Sequence, residues 1–103
     1  NGARMTYLLW ATRPKVFAAF APVAGMLSAE TMLSEPKPVL HVGGREDHTN
    51  EFAEQMKSVE LARAANRATH TPVETYIHGG GHVWPADTTA RIVAFLRTKT
   101  LTR

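Results

Sequence analysis

The sequence has 103 residues, a formal net charge of +3 and no cysteine, and 44% of its residues are hydrophobic. This balance predicts one soluble globular domain over residues 1–103 and excludes disulfides and thiolate metal sites within them. Its scattered basic residues argue against a nucleic-acid partner, and no apolar run approaches the roughly 18 residues that a membrane-spanning helix needs.

The chain opens with a predicted helix over residues 2–13. Met5, Leu8 and Leu9 fall at i, i+3 and i+4 and form the apolar stripe of such a helix. Pro14 ends it, because the residue before a proline avoids helical backbone angles.

A buried strand is predicted over residues 17–24. The run is almost entirely apolar and precedes Gly25, a pattern typical of a strand covered on both faces in a parallel sheet. Pro22 lies inside it and weakens the pairing. Residues 26–36 fit either a short helix or a loop.

A second short strand, Val39 to Val42, ends in a glycine pair and precedes the clearest helix, over residues 50–67. Thr49 or Asn50 is suited to cap that helix. Its predicted buried face carries Phe52, Met56 and Val59.

Residues 73–78 alternate between apolar and polar side chains, as in a half-exposed strand at the edge of a sheet. A last helix follows Asp87, with Ile92, Val93 and Leu96 as its apolar stripe. This alternation of elements predicts an α/β fold, a three-stranded parallel sheet with flanking helices.

Polar loops follow the last two predicted strands. Asp47 follows the second strand and His82 follows the third, each after glycines that were expected to permit a sharp turn. Parallel strands end at the same edge of a sheet, so an Asp–His hydrogen bond is predicted there, and such a pair is suited to act as a general base. The alternative for Asp47 is a helix cap, and Glu46 and His48 leave the register open by one residue.

Four segments, in order, resemble the polyhydroxybutyrate depolymerase and feruloyl esterase-like branch of the α/β-hydrolases. NGARMTYLL is similar to the segment after the nucleophile elbow, and APVAG is similar to a strand end of that branch. PVLHVGG, leading to Gly44-Arg45-Glu46-Asp47, resembles the strand before the acid, and GGGHVWP resembles the histidine motif. The resemblance implies the C-terminal part of an α/β-hydrolase fold.

The resemblance also implies site residues. Asp47 matches the acid and His82 the base of a Ser-Asp-His triad, and the backbone N–H of Asn1 matches an oxyanion donor. Trp84 matches a tryptophan that lines the substrate crevice. The nucleophilic serine is expected one residue before Asn1, outside this chain, so the chain alone is expected to be inactive.

Two functions follow as hypotheses. The first is a serine-dependent carboxylic ester hydrolase that needs no cofactor and acts on small or polymeric esters. The alternative is an inert fragment, or a small binding or assembly module that retains the fold. The chain is expected to associate with another copy or with the missing N-terminal half. Secretion is common in the branch, so the resemblance points to a secreted protein.

A metal site is a minor hypothesis. The histidines at positions 41, 48, 78 and 82 lack the i, i+4 spacing of a zinc-binding helix. His41 lies in an apolar strand and is predicted to be a core histidine with satisfied hydrogen bonds.

Overall fold

The structure is a computed structural model that describes residues 2–28, 31–33 and 35–100. Its elements confirm the predicted order of three helices and the last two predicted strands. The bounds are α1 Gly2–Thr12, β1 Val39–Gly44, α2 Phe52–Asn66, a short 3-10 helix Arg67–Thr69, β2 Val73–His78 and α3 Thr88–Leu96.

The strands β1 and β2 pair in parallel, from Val39 opposite Val73 to Gly44 opposite His78. Every residue of β1 is buried, whereas β2 is partly exposed along its length. Because the register is continuous, the carboxyl ends of the two strands lie side by side, and the loops that follow them start at the same edge.

The prediction of a three-stranded sheet is wrong. The described residues form a two-stranded sheet of β1 and β2. The segment 17–24 runs beside β1, but it is joined to β1 only by two isolated parallel bridges, Phe20 with Val39 and Val23 with Val42. The fold is therefore a small α/β arrangement with an irregular segment in place of the predicted first strand.

Pro22 explains why this segment does not continue as a strand. The N–H groups of Leu40 and Val42 donate to the carbonyl oxygens of Phe20 and Pro22, at 3.0 and 2.9 Å. A regular parallel ladder would place one more bond between these two, donated by residue 22 to Leu40. Proline has no N–H, so that bond cannot form.

Helices cover both faces of the sheet. On one face, Tyr7 and Trp10 of α1 and Ala62 of α2 pack with Val39. On the other face, Phe95 of α3 packs against the β1 side chains Leu40 and Val42. Among the described residues, no helix is long and apolar enough to cross a membrane.

The predicted apolar stripe of α1 is wrong for two of its three residues, since only Leu9 packs against the core. Met5 and Leu8 are 52% and 42% exposed, whereas Tyr7 and Trp10 are buried. The Trp10 ring stacks on Phe20 with ring centroids 5.8 Å apart. The aromatic side chains therefore determine which face of α1 turns inward, since each buries more area than an aliphatic side chain.

The other two helices also differ from their predicted faces. Of the residues predicted to be buried on α2, only Val59 is fully buried, and in α3 both Val93 and Leu96 are exposed. The buried positions are Gln55, Ser58, Val59, Ala62 and Asn66 in α2 and Thr88 and Phe95 in α3. The inner face of α2 is thus largely polar, which apolar periodicity does not predict.

Candidate active site

The candidate site is built from the two loops that leave the paired strand ends. The backbone N–H of Arg45 donates to the carbonyl oxygen of His78 at 2.9 Å. The N–H of Glu46 donates to the carbonyl oxygen of Gly80 at 3.1 Å. These bonds extend the pairing of the strands beyond their ends and hold the two loops against each other.

Gly44 allows this close contact between the loops. A Cβ at Gly44 would collide with the carbonyl oxygens of Gly80 and Gly81 and with the His78 ring. The sequence predicted that the glycines permit sharp turns through unusual backbone angles, but no described glycine has a positive φ. The contact requires the small size of Gly44, and not an unusual backbone conformation.

The loops bring Asp47 and His82 together. His82 Nδ1 lies 3.0 Å from Asp47 Oδ2, with the Asp47 side chain fully buried and the His82 side chain 39% exposed. Because the carboxylate oxygen accepts, Nδ1 carries the proton of a neutral His82 ring, which leaves Nε2 as the basic nitrogen. No hydrogen bond joins Nε2 to the part of the chain that the structure describes.

Asp47 also shapes the turn before α2. Its Oδ1 atom accepts the backbone N–H groups of Thr49 and Asn50, each at 2.9 Å. Its Oδ2 atom accepts a 3.0 Å bond from Gln55 Nε2 in addition to the bond from His82. The capping role and the pairing with histidine, posed as alternatives from the sequence, therefore use different oxygens of one carboxylate.

Hydrogen bonding keeps this buried carboxylate ionised. Burial by itself raises the pKa of Asp47, but the N–H of Asn50, the His82 ring and the N–H of Thr49 together outweigh burial. The net result is a pKa below the usual value for aspartate. At neutral pH the carboxylate can therefore stabilise a protonated His82 ring.

The neighbouring side chains of the same loop make no contact with His82 and pair with other groups. Glu46 and His48 are exposed, and His48 Nε2 lies 3.6 Å from a Glu46 carboxylate oxygen. His48 Nδ1 lies 3.3 Å from Glu51. The one-residue ambiguity in the sequence is thus resolved in favour of Asp47 as the acid that contacts His82.

A cleft of about 430 Å³ opens beside His82. It lies between the first turn of α1 and the loop that contains His82, and its lining is mainly apolar. Trp84 lines it, is 56% exposed, and donates from Nε1 to Thr89 Oγ1 at 3.1 Å. The other lining residues are Gly2, Ala3, Thr6, Ala21, Val23, Ala24 and Val83.

Asn1, the predicted oxyanion donor, lies outside the described residues. The two described serines do not line the cleft. Ser28 bonds to Thr31 Oγ1, and Ser58 bonds to the N–H of Leu27 and the carbonyl oxygen of Glu54. Neither hydroxyl is placed to act as a nucleophile with His82.

Three buried polar residues around Asp47 were not predicted as part of the site. Gln55 contacts Asp47 directly, and His41 and Tyr7 lie behind it. His41 is buried with a partner on each ring nitrogen, as predicted for a core histidine. Gln55 lies one turn before Val59 on the buried face of α2, but a polar residue at that spacing gives no sequence signal of burial.

No group of three or more His, Asp or Glu side chains within residues 2–28, 31–33 and 35–100 is arranged to hold a metal ion. What the described site contains is an acid–base pair beside a cleft.

No protein-family model and no curated protein matches the chain. A solved structure with a similar fold is a protein of unknown function from Agrobacterium tumefaciens. It superposes with a TM-score of 0.73 at 22% sequence identity, over 97% of this chain and 48% of that one. The likeness supports the fold alone, and the chain spans about half the length of that neighbour.

Proposed function

We propose that this chain is the C-terminal portion of a serine-dependent carboxylic ester hydrolase, to which it contributes the acid and the base. The observation that carries the proposal is the buried Asp47 carboxylate bonded to His82 Nδ1 at the rim of a cleft. The resemblance of its four motifs to the depolymerase and feruloyl esterase-like branch supplies the reaction class.

In the proposed reaction, a serine from outside residues 1–103 attacks the ester carbonyl carbon. His82 Nε2 removes the serine proton and then donates it to the departing alcohol, which leaves an acyl-enzyme. A water molecule, deprotonated by the same nitrogen, then attacks the acyl group, and His82 returns that proton to the serine oxygen as the acid is released. Asp47 keeps Nδ1 protonated throughout and stabilises the imidazolium.

The site supports this division of roles. The Asp47 carboxylate is fully buried and ionised, so its attraction for a charged imidazolium is stronger than it would be in water. The His82 side chain is partly exposed and lines the cleft, and its Nε2 makes no hydrogen bond to the described residues. The mainly apolar lining, which includes Trp84, suits the acyl or alcohol part of an ester.

The test is hydrolysis of a short-chain nitrophenyl ester by a protein that joins residues 1–103 to an upstream half with the serine. We expect turnover in that protein and a loss of about 10⁴-fold or more in His82→Ala, because the base is removed.

His48→Ala is the matched control, since His48 is an exposed histidine of the adjacent loop that pairs only with Glu46 and Glu51 among the described residues. It should hydrolyse the ester at the parental rate. Equal rates in the parent and in His82→Ala would contradict the proposed function.

A further inference from the structure

A row of buried side chains leads from α1 to the Asp47 carboxylate. The Tyr7 hydroxyl lies 2.8 Å from His41 Nδ1, and His41 Nε2 lies 2.9 Å from Gln55 Oε1. Gln55 Nε2 lies 3.0 Å from Asp47 Oδ2, the oxygen that also contacts His82. Tyr7, His41 and Gln55, named the buried array below, come from α1, β1 and α2 and are at most 1% exposed.

The partners of the buried array determine the position of every proton in it. Gln55 Nε2 lies near two atoms that only accept, Asp47 Oδ2 and the Asn50 carbonyl oxygen at 2.7 Å, so the amide nitrogen must face them. Gln55 Oε1 then faces His41, and His41 Nε2 must carry the ring proton. His41 Nδ1 is therefore an acceptor, and the Tyr7 hydroxyl donates to it.

The charge states of the buried array agree with this assignment. Burial raises the pKa of Tyr7, so its hydroxyl keeps its proton. Burial also lowers the pKa of His41, against the opposing effect of its hydrogen bond with Gln55. A protonated tyrosine and a neutral imidazole are the forms that the hydrogen-bond directions require.

Packing alone does not account for this choice of residues. Apolar side chains of similar volume would fill the same space without the cost of removing polar groups from water. Instead, each polar side chain of the array is hydrogen-bonded to the next. The last of them, Gln55, bonds to the carboxylate oxygen that also contacts His82. Fixing the orientation of that carboxylate is the effect that this arrangement has and apolar packing would not have.

We propose that the buried array positions Asp47 for its hydrogen bond with His82, with Gln55 acting directly and with His41 and Tyr7 holding the Gln55 amide in its orientation. As a statement about catalysis, this inference rests on the proposed hydrolase function. As a statement about the Asp47–His82 pair, it can be tested without a substrate.

The test is an NMR titration of the full chain and its Gln55→Met variant, which follows the Asp47 carboxyl carbon and the proton on His82 Nδ1. Methionine has a similar length and cannot donate. We expect the Asp47 titration to move to higher pH and the Nδ1 proton to exchange faster with water. Tyr7→Phe, which touches neither Asp47 nor His82, should change both signals in the same direction by a smaller amount.

Ser58→Ala is the matched control. Ser58 is a buried polar residue of the same helix, bonded to the Leu27 N–H and the Glu54 carbonyl oxygen and not to Asp47. It should leave the Asp47 titration unchanged. If Gln55→Met does not fold, Tyr7→Phe decides the question, and an Asp47 titration equal to that of the parent would overturn the positioning role.

Hydrolysis separates this inference from the proposed function. In the protein joined to its upstream half, Gln55→Met should lower kcat by about 100-fold with KM unchanged, because the base is misplaced but the cleft is not. If the NMR signals change in the array variants but the joined parent protein hydrolyses no ester, the hydrolase function is refuted and the positioning role is supported. Normal kcat and an unchanged Asp47 titration in both array variants would overturn the positioning and leave the hydrolase intact.

Discussion

Asp47 shows how one side chain can serve both the fold and the proposed chemistry. One oxygen holds the turn that leads into α2, and the other receives His82 and Gln55. Each donor favours the charged form, which is why a carboxylate with no solvent exposure can remain ionised. The bonds that hold Asp47 beside His82 therefore also stabilise the folded chain.

This linkage predicts a pH dependence of stability. The pKa of Asp47 is lower in the folded chain than in the unfolded one, so its contribution is complete above the unfolded value of about 3.9 and is lost as the pH falls through the folded value. Asp47→Asn should lower the free energy of unfolding by about 2 kcal/mol at neutral pH.

Urea unfolding of both proteins, from neutral pH down through the acid range, measures this difference. The gap between the parent and Asp47→Asn should narrow as the parent carboxylate becomes protonated. A difference in the free energy of unfolding that stays constant at every pH would show that the charge of Asp47 does not stabilise the folded chain.

At the scale of the elements, the site depends on the contact between the loops after β1 and β2. Gly44 is the point of closest approach, because a Cβ there would strike the backbone of the loop that contains His82. We expect Gly44→Ala to lower stability by about 1–3 kcal/mol and to separate His82 from Asp47. Thermal unfolding and ester hydrolysis by the joined protein would measure the two effects.

Gly79→Ala is the control for this substitution, since a Cβ at Gly79 has no atom within 4 Å. It should keep both stability and hydrolysis close to those of the parent. If the two alanine variants behaved alike, the contact at Gly44 would not be what holds the loops together.

The elements also show what could be predicted from the sequence. Alternation over residues 73–78 is local, and it predicted β2 with its observed bounds. The prediction of a strand over residues 17–24 was wrong. Its apolar composition favours a strand, but Pro22 has no N–H and interrupts the hydrogen bonds with β1. The predicted ends of β1 and β2 placed Asp47 and His82 in neighbouring loops, where the structure has them.

The buried array next to Asp47 could not be predicted from the sequence. Gln55 is a buried polar residue whose partners come from other elements, and helical periodicity treats such a residue as part of the exposed face. The inward face of α1 was missed for a different reason. Ala3, Tyr7 and Trp10 also fall at helical spacing, and contacts with other elements, such as Tyr7 with His41, determine which of the two stripes is buried. Both errors arise because contacts with other elements decide which residues of a helix are buried.

At the scale of the whole molecule, the exposed apolar surface predicts association. Val16 and Phe17 are exposed, as are Met5 and Leu8 on α1. Among the described residues, no strand pairs with the edge of segment 17–24 that faces away from β1. Such an edge, with apolar side chains around it, favours pairing with another chain.

Sedimentation velocity at micromolar concentration tests this expectation. The chain should sediment as a dimer or a larger species, and a Leu8→Lys, Val16→Lys double variant should shift it toward the monomer. A parent chain that sediments as a stable monomer would contradict the prediction.

The most direct test of the central claim is the intact mass, under denaturing conditions, of the joined protein after treatment with a fluorophosphonate probe, which reacts with activated serines. We expect the parent protein to gain the mass of one probe and His82→Ala to gain none, because the serine is activated only by the base that Asp47 holds. Equal labelling of both proteins, or no labelling of the parent, would contradict the assignment of Asp47 and His82 to a serine hydrolase.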